Sequence, residues 1–313
     1  MPKFVGSNLQ KRLAYYAYTG LAFCLRNLPE PLARLAAALV SLSMMRGHGL
    51  TGRMRIEHLR RVLAVTTGRE PEPKLMKRMA TRAYLAYARY WVDGARLPGT
   101  AKAGVVERMR SVGLEHLDKG MAAGSGVIMA LPHVGSWEWG GSWLESLGYR
   151  MTAVAEILEP PKLFQWFIEQ RNASGLDIVP LDQHASAEVI KALREGKLVG
   201  LLCDRDLVGN GIEVEFFGET TTFPAGPATL ALRTGAMLIT TAVFAGPGTD
   251  HLADMSAPID TTRTGSFRED VTRITQQIAR NFEDYIKRAP EQWHMFQPLW
   301  PSEREAELAR RRD

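Results

Sequence analysis

The sequence predicts an α/β fold: a mixed, mostly parallel sheet flanked by helices, with an all-helical N-terminal segment packed on it. Two observations carry that expectation. The first ~100 residues read as helices separated by breakers, and from about residue 112 short apolar runs alternate with helical stretches. The N-terminal helices fall at about 6–27, 31–45, 54–66 and 72–96, punctuated by Pro29, Pro31, Gly47, Gly49, Gly68 and Pro71. The run GVIMAL at 126–131 is bounded by Gly and Pro, as a strand buried on both faces should be. Further strands are expected at 149–155, 176–180, 197–203, 213–217 and 237–244. Between them lie helices at about 137–147, 161–173, 184–195 and 225–234. A long amphipathic helix at 266–288 precedes the aromatic segment 293–300 and a charged tail. Ligands of such sheets sit beyond the carboxyl ends of the strands.

Composition narrows the class. Hydrophobic content of 45% and charged content of 23% exclude global disorder. Cys24 and Cys203 form neither a disulfide framework nor a CxxC pair, which points to a reduced chain without structural zinc. The net charge of +5 is unevenly spread: residues 1–70 hold 11 Lys/Arg against Glu30, Glu57 and Glu70. Such an end seeks a polyanion, nucleic acid or anionic lipid, unless it is simply a solvated basic face. The apolar runs 13–25 and 35–45, edged by Lys11, Arg12, Arg26 and Arg34, fall short of the ~20 residues of a bilayer span. They suit helices lying in a headgroup layer, or, more plainly, core helices. No RNP, helix-turn-helix or zinc-finger pattern favours nucleic acid. With no repeat and no linker, 1–313 reads as one domain, with a membrane-facing helical part (1–100) and an α/β core (101–300).

The strongest chemical signal is the segment 131–141, LPHVGSWEWGG. His133 emerges from the end of a buried strand, Ser136 stands where the next helix needs a cap, and Glu138 falls in its first turn. On one regular helix the two would point about 140° apart. A turn between them instead lets the carboxylate fold back onto one ring nitrogen and frees the other to accept a proton. A lone histidine at a strand end is more often a hydrogen-bonded structural group; the acid partner and the Gly-rich surroundings favour a general base. Cys203 ends an apolar run and reads as a small buried hydrophobe, and the chain has no G-x-S-x-G elbow. The remaining histidines show no metal-ligand spacing.

This motif resembles the H-x4-D/E signature of the lysophospholipid acyltransferase superfamily. The likeness is to the branch of bacterial lipid A acyltransferases and actinobacterial phosphatidylinositol mannoside acyltransferases. Ordered blocks support it across about 10–300: VAE at 154–156, QRN at 170–172 with Gly175, CDRD at 203–206, FFG at 216–218 and TFPAGP at 222–227. The absence of an N-terminal transmembrane run tilts the likeness to the mannoside branch. The resemblance implies that His133 deprotonates a sugar hydroxyl while Glu138 supports the ring, and that the alkoxide attacks an acyl-CoA thioester directly. Glu156 would complete the relay, or be a strand-end acid facing water. Arg171 would bind phosphate or stabilise the oxyanion, or be a surface arginine. Arg205 would meet a lipid phosphate, with Asp204 and Asp206 ordering acceptor hydroxyls or the His133 network. The same three residues also read as a mutually paired structural cluster, or as the D-x-D of a metal-dependent glycosyltransferase. Pro224 lies in a rigid turn lining the acyl or acceptor cleft.

The expectation is therefore transfer of a palmitoyl chain from acyl-CoA to a mannose hydroxyl, the 6-position, of phosphatidylinositol mannoside. It would proceed without cofactor, metal or nucleic acid, on the anionic cytoplasmic face of the inner membrane. A lipid A-type or other glycolipid acceptor, a D-x-D glycosyltransferase and a non-catalytic membrane-docking module remain as alternatives.

Overall fold

The computed structural model describes residues 8–46 and 50–310. Four helices open it: α1 (Asn8–Asn27), α2 (Glu30–Arg46), α3 (Leu50–Thr67) and α4 (Pro73–Arg96). The expected helix start at 6–7 and the breaks at Gly47 and Gly49 lie outside the described residues. The chain continues through α5 (Lys102–Glu107), β1 (Met109–Val112), α6 (Leu114–Ala122), β2 (Val127–Leu131), α7 (Trp137–Ser146) and β3 (Met151–Ala155). Next come α8 (Pro161–Ala173), β4 (Leu176–Pro180), α9 (Ala185–Arg194) and β5 (Leu198–Leu202). A hairpin of β6 (Ile212–Phe216) and β7 (Glu219–Phe223) leads to α10 (Gly226–Thr234), β8 (Met237–Ala245), β9 (His251–Met255), α11 (Phe267–Arg288) and α12 (Pro301–Arg310).

Seven strands form one sheet in the order β1-β9-β8-β2-β5-β3-β4, parallel except for the β8–β9 pair. Alternation along β2 shows why it is central. Ile128 and Ala130 join the core beneath α9, α10 and α11, while Val127, Met129 and Leu131 join the core beneath α6 and α7. With apolar layers on both faces, all five residues are buried. A capping box between Ser266 and Glu269 starts α11, whose stripe of Val271, Ile274, Ile278, Phe282 and Ile286 lies in the first of those cores.

The N-terminal helices pack on this body through α4, with Leu25, Ala33 and Val92 forming a small apolar cluster. The segment after α11 is tied down from both sides: His58 on α3 meets Glu303 at 3.1 Å, and the Trp300 indole N–H donates to the Phe216 carbonyl at 2.9 Å. The fold class expected from the sequence is the one observed. Strands β1, β7 and β9 and helices α5 and α6 were not read from it. The β6–β7 pair stands apart as a two-stranded ribbon rather than joining the parallel sheet.

Candidate active site

Strands β2 and β5 are neighbours in the sheet, paired in parallel with Leu131 opposite Leu202. Carried two residues beyond the strand ends, that register sets His133 beside Asp204. The Asp204 carboxylate accepts three hydrogen bonds: from His133 Nδ1 at 2.5 Å, the His133 backbone N–H at 2.9 Å and Trp293 Nε1 at 2.9 Å. It is fully buried, and burial alone would favour its neutral form; the charge and hydrogen bonds of His133, with the Trp293 donor, instead hold it below the usual carboxylate value. An ionised Asp204 requires a proton on His133 Nδ1, so in the neutral ring the lone pair is on Nε2. Nε2 has no hydrogen-bond partner among the described residues, and His133 lines a cavity of about 590 Å³.

The loop carrying His133 is held in place by its backbone. Gly135 has φ +62°, and a side chain there would collide with the Val243 carbonyl of β8. The segment 292–294 straps the loop from the other side: Gly135 N–H donates to the Gln292 carbonyl at 2.9 Å, and His294 N–H to the His133 carbonyl at 2.7 Å. The Trp137 ring meets the imidazole edge-on at 5.4 Å.

Glu138 does not fold back onto His133, and no hydrogen bond joins them. It falls on the first turn of α7 as expected, but there it accepts from the Tyr90 hydroxyl at 3.0 Å and Arg171 Nη2 at 3.1 Å. Glu156 does not complete the relay either, because Asp204 occupies Nδ1; Glu156 Oε2 takes Arg205 Nη2 at 2.5 Å. Arg171 is thus an ion-pair partner on the cavity wall rather than a surface residue, and its side chain remains 24% exposed. The three residues of the DRD run do not pair with one another. Asp204 serves His133, Arg205 serves Glu156, and Asp206 accepts backbone N–H groups of Val208, Gly209 and Gly211 at 2.8–3.1 Å. Asp204 and Asp206 therefore do not converge on a common point as metal-binding carboxylates must. Ser136 occupies the N-cap position of α7 without a side-chain capping bond. Pro224 lines the cavity as expected, and Cys203 is buried, its thiol pushed well up by burial and by Asp204.

The cavity is lined by Leu131, Ala155 and Leu202 at the carboxyl ends of β2, β3 and β5, and by further apolar side chains, among them Met151, Ala153, Ile178, Val189 and Leu201. An apolar cavity lined by an imidazole whose Nε2 is not hydrogen-bonded to any described residue can hold an alkyl chain and take a proton from a hydroxyl. Trp293, Tyr90 and His294 were not singled out from the sequence. All three act through contacts distant in the chain, so no local spacing announces them.

The family model of bacterial lipid A biosynthesis acyltransferases matches residues 2–302. The chain belongs to that acyltransferase family. The phosphatidylinositol mannoside acyltransferase of Mycobacterium tuberculosis is 36% identical to it over 306 residues, covering 96% of this chain and 92% of that protein. The protein of the same name from Mycolicibacterium smegmatis is 38% identical over 249 residues, covering 78% and 79%. Among solved structures, the 1-acyl-sn-glycerophosphate acyltransferase of Thermotoga maritima covers 75% of this chain and 94% of its own, with a TM-score of 0.36 and 16% identity. Within this acyltransferase, then, His133, held by Asp204, lines the apolar cavity, and Glu138 and Arg171 form part of its wall.

Proposed function

We propose that this acyltransferase moves a palmitoyl chain from acyl-CoA to a mannose hydroxyl, the 6-position, of phosphatidylinositol mannoside, with His133 as general base. The observation that carries the mechanism is the 2.5 Å contact between His133 Nδ1 and the buried Asp204, which orients the ring and supports the imidazolium formed when Nε2 takes the proton. The cavity volume of about 590 Å³ falls within the ~300–1,000 Å³ of small-molecule sites, and its aliphatic lining suits a fatty chain. The mannoside acceptor is carried over from the relatives' names, and the palmitoyl chain, its CoA carrier and the 6-position from the sequence resemblance. Glu138 keeps Arg171 and Tyr90 on the wall where an acceptor enters. No metal or cofactor takes part in this reading.

The reaction would take place on the cytoplasmic face of the inner membrane, with the protein seated peripherally. Helices α1 and α2 expose Leu9, Leu13, Phe23, Leu32, Leu35 and Leu39, a concentration of large apolar side chains unusual for a free surface. Among the described residues no helix is long and apolar enough to cross a membrane. Lys11 and Arg12 beside that surface would add attraction to anionic headgroups.

Purified protein incubated with palmitoyl-CoA and phosphatidylinositol mannoside is expected to release CoA thiol only when the acceptor is present. The lipid should gain the mass of one palmitoyl group, with EDTA making no difference. Acylation of a lipid A-type acceptor and not of the mannoside would overturn the acceptor; turnover lost to EDTA would overturn the metal-free mechanism.

A further inference from the structure

Arg55 on α3 is 2% exposed and has no carboxylate partner among the described residues. Its guanidinium lies 5.1–5.4 Å from the ring centres of Tyr84, Tyr87 and Phe296, donates to the Ala83 carbonyl, and places Nη2 3.5 Å from His294 Nδ1. Burial lowers this arginine to about 10, so it remains a cation at neutral pH. A permanent donor facing Nδ1 requires that nitrogen to present its lone pair. His294 is therefore the Nε2–H tautomer. Burial first, and then the Arg55 charge, hold it well below the usual imidazole value, so the ring stays neutral. Nε2 has no partner among the described residues, and His294 lines the same cavity as His133. The two imidazoles flank one indole, with Trp137 5.4 Å from His133 and 6.3 Å from His294, and the His294 backbone N–H is bonded to the His133 carbonyl.

We propose that His294 is a second catalytic histidine, a neutral Nε2–H donor to the carbonyl oxygen of the acyl thioester as it becomes an oxyanion. The inference rests on the acyl-transfer reading above. The acceptor oxygen forms a bond to the thioester carbon while its proton passes to His133 Nε2. The carbonyl π pair moves onto oxygen, where His294 Nε2–H meets it. Collapse restores the carbonyl, the C–S bond breaks, and the CoA thiolate leaves and takes the proton from His133. His294 keeps its own proton throughout, which is why a neutral ring serves better than one that titrates near neutrality.

The test compares His294→Phe, which keeps the aromatic packing and loses the donor, with His294→Gln, which loses the ring and keeps an N–H. Palmitoyl-CoA is the acyl donor, and kcat is expressed per folded molecule. Loss of one oxyanion donor should cut kcat roughly 100- to 1,000-fold in His294→Phe, with KM for palmitoyl-CoA little changed, while His294→Gln stays within about tenfold of the unsubstituted protein. A ring needed only for packing gives the opposite ranking. His294→Gln no faster than His294→Phe, or His294→Phe within about threefold of the unsubstituted enzyme, overturns the proposal and leaves the acyltransferase reading intact. An unsubstituted protein that transfers no acyl group overturns the reading on which it rests.

Discussion

A carboxylate buried as completely as Asp204 is costly unless every oxygen finds a donor, and here His133 and Trp293 supply them. Glu138 poses the same question with a different answer, since Tyr90 and Arg171 share Oε1 while Oε2 is buried without a hydrogen-bond partner among the described residues. Replacing Glu138 by Gln should therefore act mainly through stability. We expect a loss of about 1.5–3 kcal/mol in urea titration, with the kcat of the folded fraction reduced far less than by substitution at His133. Equal kcat losses at the two positions would return Glu138 to the chemistry. The histidine was legible as a candidate base because strand end, Gly-rich turn and nearby acid coincide in eleven residues. Its true partner was not, because Asp204 reaches it across a pairing of β2 with β5 that skips two intervening strands. Sequence spacing pointed to the acid five residues away; sheet register selected the one seventy-one residues away.

At the scale of elements, helix α8 matches the expected 161–173, and α7, α10 and α11 begin or end within a residue or so of expectation, because Pro and Gly mark their ends. The unread strands lack such marks. Only Met109 of β1 is buried, so no alternation shows; β7 is mostly threonine and glutamate, and belongs to a hairpin that turns at Phe217 and Gly218. Helices α1 and α2 show a different limit: their apolar residues look like a core pattern, yet many face outward. On the membrane reading, Leu35→Ser combined with Leu39→Ser should weaken co-sedimentation with anionic vesicles and leave the thermal midpoint nearly unchanged. Binding of the unsubstituted protein should fall as salt rises from ~0.05 to ~0.5 M, as headgroup attraction is screened. Undiminished vesicle binding by the double variant would mean these helices cover another part of an assembly.

Across the whole molecule, buried His251 is one of the groups that link stability to pH. His251 on β9 stacks on Trp139 at 4.5 Å, and neither ring nitrogen has a hydrogen-bond partner among the described residues; burial, then the charges of Arg89, Arg34 and Arg108, press it down to about 3. Asp93 lies 3.8 Å from Nε2, but its own ionisation is opposed by burial. Between about 6.5 and about 3 the unfolded chain holds a proton at this site that the folded chain does not, so this contribution is complete above that window and declines as pH falls, by up to about 1.4 kcal/mol per unit. His251→Phe keeps the stack and removes the titration. Its thermal midpoint should match the unsubstituted protein at pH 7.5 and exceed it at pH 5; a midpoint lower at both would show that the imidazole has a polar role. The same fold brings β2, β5 and the 292–294 strap together, and at that meeting point lies the His133–Asp204 pair proposed as the general base of acyl transfer. Its most direct test is acceptor-dependent thiol release from palmitoyl-CoA by His133→Ala and Asp204→Asn, each verified as folded. Losses of about 10³-fold or more in both variants, with palmitoyl-CoA still bound, are the expected result. Asp204→Asn turning over like the unsubstituted enzyme would contradict it, and would reduce the 2.5 Å contact to a structural hydrogen bond.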